Sequence, residues 1–365
     1  MRALSDRELT VSLLARQLLL ERRQMPVGQA VRCLCALQAQ YSPSPYLALH
    51  SRLDGFSIGD LESALRRRTV VKSTLMRGTL HLVTAADYPF FAAACHPQLS
   101  AGIRTSNRAA EPLEKQIVTG LAEFTAVPRT TDEIRQRVQD LSGGAVKRQW
   151  LLDYARLMVP MVHLAPSGLW QRHGKFSLVA WRDGLEPEPA ATALLVRRYL
   201  AAFGPASRED VAAFTWLRYR QIDPALAELE PLRRFTDSRG RELYDLPRGP
   251  LPPEDVLVPP RLLARFDAAV LSHRDRTRIL PAGIRDEVME MMGGNLMPYL
   301  VDGLVAGRWS YRQQRDRAVL TLRPFVPTGG SLPADLEAEA HRMLSFVAPD
   351  AHDRQVELAD GTVGG

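Results

Sequence analysis

The chain has 365 residues, of which 45% are hydrophobic and 24% charged, and its formal net charge is +6. These values are typical of a soluble globular protein and exclude a fibrous or disordered chain. No apolar run approaches the ~18 residues needed to span a bilayer, and residues 1–20 lack the pattern of a signal peptide. We therefore expect a cytoplasmic protein of two or three domains without membrane association.

The positive charge lies mainly in the first third of the chain. Residues 1–110 contain 14 basic and 7 acidic residues, and the remainder is close to neutral. Such asymmetry is typical of a module that contacts a polyanion. The alternative is a generally basic protein, but that alternative does not explain the uneven distribution. The charge pattern therefore favours a nucleic-acid-binding face.

The first 112 residues follow the plan of a winged helix. Ser5 and Glu8 have the capping-box spacing that begins a helix, and Arg77 and Gly78 lie at the turn of a predicted hairpin. Helices followed by a β-hairpin are typical of the winged-helix fold. After the capped helix, the pattern predicts helices over residues 27–37, 45–55 and 57–67, and strands over residues 70–75 and 79–83.

The same order of elements recurs in residues 113–187 and 188–253, whose predicted hairpins turn near Gly168 and Gly240. The first of these hairpins ends with a strand predicted from Lys175 to Trp181.

The last third of the chain has a different pattern. Residues 254–330 are predicted to be mostly β, with apolar strand-like stretches at Ala268–Leu271 and Ala318–Leu322. Residues 331–365 are predicted to form one amphipathic helix and an acidic tail. The predicted fold class is therefore α+β, with three tandem winged-helix modules and a β-rich C-terminal part.

Metal and cofactor sites have no support in the sequence. The eight histidines form no spaced pair on one helix. Cys33 and Cys35 point away from each other on a predicted helix, which favours core cysteines over metal ligands. The chain contains neither a P-loop nor a dinucleotide-binding glycine motif. We therefore expect no metal and no cofactor.

Two glutamines, Gln38 and Gln40, stand where the proline-rich residues 42–45 end a predicted helix. Near a helix end, both amides can project into one cleft. The alternative is that they cap backbone carbonyls at the helix terminus. Periodicity by itself favours this second interpretation.

Four segments of the chain resemble the AlkZ/YcaQ-type winged-helix DNA glycosylases. The resemblance implies tandem winged helices in a C shape around double-stranded DNA, and a Gln-x-Gln catalytic motif at Gln38 and Gln40. The double-glutamine version is similar to the branch that protects antibiotic producers from their own DNA-alkylating metabolites, of which azinomycin resistance is the namesake. The segments are Leu34–Arg52 (LCALQAQYSPSPYLALHSR), Leu75–Asp87 (LMRGTLHLVTAAD), Leu263–Leu280 (LARFDAAVLSHRDRTRIL) and Leu300–Trp309 (LVDGLVAGRW).

The implied reaction needs no strong base. A purine alkylated at N7 or N3 is cationic and already a good leaving group, so a glutamine carbonyl needs only to position water beside the developing sugar cation. Asp54, Asp60 or Asp87 could instead act as a full base, although each also fits a structural role at a turn or helix start. No lysine adjoins the two glutamines, so we expect a monofunctional enzyme.

The residues predicted to contact DNA fall into two sets. His81 could equally be a core histidine, and residues 273–278 could form a solvated turn instead of a hairpin in the minor groove. Trp181, Trp216 and Trp309 are assigned to cores. The first set is Arg66, Lys72, Arg77, Thr79 and His81, and the second is His273, Arg274, Arg276 and Arg278.

Two function classes remain open at this point. The first is a monomeric glycosylase that removes alkylated purines from double-stranded DNA at the bacterial nucleoid, for self-resistance or repair, with or without unhooking of crosslinks. The second is a non-catalytic winged-helix protein, either a regulator or a binder that sequesters a drug or its adduct. Three unlike modules favour a monomeric clamp over a two-fold dimer that reads half-sites.

Overall fold

The computed structural model describes residues 1–170, 176–284, 288, 296–326 and 332–359. The first third contains β1 (Arg2–Ala3), α1 (Asp6–Arg16), α2 (Val27–Cys33), β2 (Leu37–Gln38), α3 (Ser44–Arg52), α4 (Ile58–Arg66), β3 (Val70–Thr74), β4 (Leu80–Thr84) and α5 (Tyr88–Ser106). The middle contains α6 (Glu114–Phe124), β5 (Arg129–Thr130), α7 (Thr131–Ser142), α8 (Leu151–Met158), β6 (Met161–Leu164), β7 (Ser177–Ala180), α9 (Ala190–Phe203), α10 (Arg208–Thr215), α11 (Tyr219–Glu228), β8 (Arg233–Thr236) and β9 (Glu242–Asp245). The last part contains β10 (Arg261–Leu262), α12 (Ala268–Leu271), β11 (Pro298–Val301), β12 (Leu304–Gln314), β13 (Arg317–Pro324), α13 (Ala334–Val347) and β14 (Asp353–Leu358).

Local signals placed most of the early elements correctly. The predicted capping box begins α1, because Ser5 Oγ accepts from Glu8 N at 3.0 Å and Ser5 N donates to the Glu8 carboxylate at 2.9 Å. The second helix was predicted too long. It ends at Cys33, and Cys35 takes a left-handed φ of 66° that ends helical geometry. The chain then extends into β2 and pairs with β4.

The hairpins of the first two predicted modules belong to one sheet. Its strand order is β2-β4-β3-β6-β7-β5, and the two hairpins join where Lys72 of β3 pairs with His163 of β6. The strand predicted from Lys175 is β7, although Lys175 itself lies outside the described residues. A continuous sheet fixes the relative position of the two hairpins.

The N-terminus is tied to the third predicted module. Strand β1 pairs in parallel with β8, next to the hairpin β8–β9. Arg16 of α1 also forms an ion pair with Asp245 of β9 at 3.0 Å, and both side chains are almost fully buried. Segments far apart in sequence therefore share one interior.

The C-terminal part is built on a five-stranded sheet in the order β10-β11-β12-β13-β14. Its apolar side packs with α13 and with the helices α2 to α4 of the first third in a single core. The predicted tail contains β14, which extends the sheet in parallel to β13 and contributes Val356 and Leu358 to that core. Residues 360–365 lie outside the described residues.

The strand predicted at Ala268–Leu271 is wrong, because these residues form α12. Asp267 caps this helix by accepting from Ala269 N at 2.9 Å. The same carboxylate also binds the buried Arg52 guanidinium through two bonds of 2.7 and 2.9 Å. An apolar run of four residues fits either a strand or a buried helix, and here the cap selects the helix.

Within the described residues, no helix combines the length and apolar character needed to cross a membrane.

Candidate active site and DNA-contacting surface

Strand pairing, rather than a helix end, brings Gln38 and Gln40 together. Gln38 pairs with His81 across β2 and β4, and Ala39 N continues the ladder by donating to Leu80 O at 2.7 Å. Ala39 is buried, whereas Gln38 is half-buried and Gln40 is exposed. The alternation of side chains along an extended segment predicts both amides on the side opposite Ala39.

Each glutamine carbonyl is oriented by one protein donor. Arg77 Nη2 donates to Gln38 Oε1, and the backbone N–H of Leu80 donates to Gln40 Oε1, both at 3.3 Å. A carbonyl oxygen has two acceptor sites, so each can still accept a hydrogen bond from water. The pair can therefore hold a water molecule by its hydrogens and leave its oxygen lone pair available.

Arg77 links this motif to α10. It lies in the turn of the hairpin β3–β4 with a left-handed φ of 58°. Its Nη1 donates to Phe214 O at 2.6 Å, and its guanidinium lies 4.6 Å from the centre of the Phe214 ring. Burial, with a contribution from nearby Arg276, lowers the pKa of Arg77 to about 10, so it stays protonated at neutral pH. Arg77 is placed to position Gln38 rather than to reach outward to phosphate.

Two residues of the first predicted DNA-contacting set lie in the interior. His81 is 1% exposed and its Nδ1 lies 3.0 Å from Thr79 O, while burial lowers its pKa to about 3. Lys72 is 3% exposed, and burial lowers its pKa to about 8. Neither side chain reaches the surface that a DNA backbone would contact. Arg66 is exposed and Thr79 is half-buried, so both remain accessible.

The second predicted set is also divided. Residues 273–278 form bends and turns instead of a hairpin. His273 is buried with Nε2 3.0 Å from Phe203 O, and Arg278 is buried with Nη1 3.0 Å from Pro205 O. The predicted DNA contacts of His273 and Arg278 are therefore wrong, because the side-chain nitrogens of both residues form hydrogen bonds with backbone carbonyls in the interior. Arg274 is exposed and Arg276 is half-buried, and they keep the charge of this segment near the surface.

The three aspartates weighed as alternative bases have structural contacts. Asp60 accepts from the N–H of Ser57 at 2.8 Å and caps α4. Asp87 accepts from Thr84 Oγ1 at 3.0 Å and pairs with Arg198 at 2.9 Å. Asp54 is exposed and lies 4.0 Å from an Arg342 nitrogen. None of these contacts connects an aspartate to the two glutamines.

One cysteine and one tryptophan differ from their predicted positions. Cys35 is buried as predicted, but Cys33 is exposed; Cys95 is buried as well. Among the described residues, no cluster of three or more His, Cys, Asp or Glu side chains could hold a metal ion. Trp309 is buried as predicted, whereas Trp216 is 53% exposed. The alternation of Trp216 and Tyr219 with arginines was a signal for surface exposure that sequence reasoning missed.

A family model described as "DNA glycosylase AlkZ-like" matches residues 31–346, which include the glutamine motif and most of the described fold. The chain belongs to the AlkZ-like DNA glycosylase family. The described fold is also similar to that of the DNA glycosylase AlkZ of Streptomyces sahachiroi, with a TM-score of 0.72 over 98% of this chain and 100% of that one. The two sequences are 19% identical, so this likeness concerns the fold. No curated protein sequence gives a significant match.

Membership of the AlkZ-like family assigns this chain to the DNA glycosylases, and so makes DNA its substrate. The resemblance noted from the four sequence segments is thereby confirmed.

Proposed function

We propose that this AlkZ-like glycosylase hydrolyses the N-glycosidic bond of N7- or N3-alkylated purines in double-stranded DNA, with Gln38 and Gln40 as its catalytic residues. The observation that carries the proposal is that two accessible glutamine carbonyls, two residues apart on one segment, each accept a hydrogen bond from a protein donor. Arg77 is the positioning residue for Gln38.

The arrangement suits a leaving group that is already activated. Alkylation at N7 or N3 makes the base cationic, so its departure needs no protonation and leaves an oxocarbenium-like sugar. The partial negative charges of the two carbonyl oxygens stabilise that cation, and the water they hold is positioned to attack C1′. The base leaves with the bonding electron pair, and the water proton passes to solvent. The two amide carbonyls therefore supply the water positioning and the stabilisation of the sugar cation that the reaction needs.

The position of Lys72 supports a monofunctional enzyme. Lys72 pairs with Leu82, and Leu82 pairs with Leu37, so these three side chains share one face of the sheet. Gln38 pairs with His81 in the neighbouring register and lies on the opposite face. The Lys72 amine therefore lies on the other face of the sheet from Gln38 and cannot reach C1′ of a sugar held at Gln38. Lys72 accordingly forms no Schiff base with that sugar.

We further propose that the protein acts as a monomer at the nucleoid and needs neither metal nor cofactor. Three winged-helix modules and the C-terminal sheet would form a C-shaped clamp, with Arg66, Arg274 and Arg276 contacting phosphates. Its biological role would be self-resistance to, or repair of damage by, a DNA-alkylating natural product, including the unhooking of crosslinks.

The decisive experiment is incubation with a duplex that contains a single 7-methylguanine. The expected products are free 7-methylguanine and an intact strand with an abasic site that breaks only on later alkali treatment. Activity should persist in excess EDTA, and borohydride should trap no covalent complex. Tight binding of the damaged duplex without base release would instead support the non-catalytic class. A trapped adduct would replace the hydrolytic mechanism with a lyase mechanism.

A further inference from the structure

Trp216 is an exposed aromatic residue in a strained backbone conformation. It ends α10 with φ 62° and ψ 14°, in the left-handed region that side chains other than glycine rarely adopt, and its N–H donates to Ala212 O at 2.9 Å. Its side chain is 53% exposed. A large apolar ring held outward by a costly backbone conformation points to a function at the surface.

The ring lies beside the candidate active site. Its Cζ3 atom is 3.9 Å from the position that a Cβ atom on Gly78 would occupy. Gly78 follows Arg77, which donates both to Phe214 O and to Gln38 Oε1. One guanidinium thus connects the Gln38 carbonyl to the segment that carries Trp216.

Hydrogen bonds and core packing hold the backbone on both sides of Trp216. Thr215 Oγ1 donates to Val211 O at 2.6 Å and accepts from Leu217 N at 3.1 Å. Leu217 is 3% exposed and belongs to the main core. The tryptophan therefore projects from an anchored turn, and its position relative to Gln38 is well defined.

The residues that follow Trp216 make the surrounding surface basic and aromatic. Arg218, Tyr219 and Arg220 are all exposed at the start of α11. The guanidinium of Arg208 lies 4.5 Å from the centre of the Tyr219 ring. Aromatic rings alternating with arginines are typical of surfaces that stack on unpaired bases while binding the phosphate backbone.

We propose that Trp216 stacks on a nucleobase that leaves the DNA stack at the lesion and thereby positions the damaged nucleotide against Gln38 and Gln40. The proposal rests on the glycosylase function proposed above. Glycosylases commonly extrude their target nucleotide to reach the glycosidic bond, and an extruded or orphaned base offers a π-face that a nearby indole can cover. This assigns substrate positioning to a residue outside the glutamine motif.

Tryptophan fluorescence tests the contact without requiring turnover. The Gln38→Ala/Gln40→Ala variant is titrated with a duplex containing one 7-methylguanine and with the same duplex undamaged. We expect stronger quenching by the damaged duplex, and loss of that difference when Trp216→Phe is added. Adding Trp150→Phe should preserve the difference, because Trp150 packs at the core of residues 103–178. An equal response to both duplexes, or a difference that survives Trp216→Phe, would overturn the proposal.

Single-turnover excision tests the consequence of the contact. Trp216→Ala should slow release of 7-methylguanine by about 5- to 100-fold, the range expected for loss of one base-stacking contact. Trp216→Phe should restore the rate to within about threefold. Val127→Ala serves as the control, because it also truncates an exposed apolar residue. Unchanged excision by Trp216→Ala would overturn this inference and leave the glycosylase function standing. Lesion-dependent quenching without excision by the wild type would support the contact and overturn the function.

Discussion

Removal of both glutamine side chains is the most direct perturbation of the proposed site. Gln38→Ala/Gln40→Ala deletes the two carbonyl oxygens that are oriented by Arg77 and by the Leu80 N–H. If these oxygens hold the attacking water and stabilise the sugar cation, excision should slow by ~10²-fold or more, which corresponds to at least about 2.7 kcal/mol in the activation free energy. Because both carbonyls act on the same water, the rate losses of the two single variants should not multiply to give the rate loss of the double variant.

The same substitutions should affect folding only weakly. A hydrogen bond to a charged group contributes about 1.5–3 kcal/mol. The bond between Arg77 and Gln38 is long at 3.3 Å and half-exposed, and Arg77 keeps its bond to Phe214 O. The loss of unfolding free energy should therefore stay below about 1.5 kcal/mol.

The assay is single-turnover release of 7-methylguanine from a duplex at saturating enzyme, with binding to the same duplex measured in parallel. Gln136→Ala is the matched control, since Gln136 is exposed on α7 and bonds only Asp140, at 2.7 Å, among its described partners. The double variant should bind DNA as the wild type does. If the folded double variant released 7-methylguanine at the wild-type rate, the assignment of the two glutamines as catalytic residues would be refuted.

Three further predictions concern binding and stability. Duplex affinity should fall with salt at a log–log slope of about −0.9 per phosphate contacted, and Arg274→Ala/Arg276→Ala should flatten that slope by about two; a slope unchanged in the variant would argue against these contacts. Arg52→Met should lower the unfolding free energy in urea by about 3–5 kcal/mol, because it leaves the Asp267 carboxylate buried without its partner, and Asp267→Leu in addition should recover much of the loss. The free energy of unfolding should also fall as the pH drops from 7 to 5, because buried histidines stay neutral in the folded protein but become protonated in the unfolded chain below about pH 6.5. Each such histidine lowers the free energy of unfolding by up to about 1.4 kcal/mol per pH unit. Equal urea midpoints at both pH values would contradict this prediction. Among the described residues, four histidines have pKa values lowered to about 3 by burial, namely His50, His81, His163 and His273.

Features that depend on neighbouring residues could be predicted from the sequence. The capping box at Ser5 and the turn at Arg77 and Gly78 each need only a few consecutive residues to satisfy free amides or to reverse the chain. The glutamine motif could also be identified, because Gln-x-Gln stands within a segment that resembles a known family. Its conformation could not, since a short apolar segment before prolines fits a helix end as well as a strand.

Burial of charged residues was the main error, and its cause is long-range. Arg278 reads as a surface residue in an arginine-rich run, but Pro205 O accepts its guanidinium N–H in the interior. Lys72 lies on β3, whose five residues are all buried in the sheet that joins the hairpins of two predicted modules. A basic side chain can be placed inside only when its partner from elsewhere in the chain is known.

The sequence by itself determined the order of most elements, the hairpin turns and the position of the glutamine motif, because caps, turns and short motifs are local in the chain. The tertiary structure alone decided that β2 forms, since that strand exists only through pairing with β4, some forty residues later. It also decided that Trp216 lies exposed beside the turn that carries Arg77. Pairing, burial and proximity are properties of residues distant in sequence, and they are settled only when the chain folds on itself.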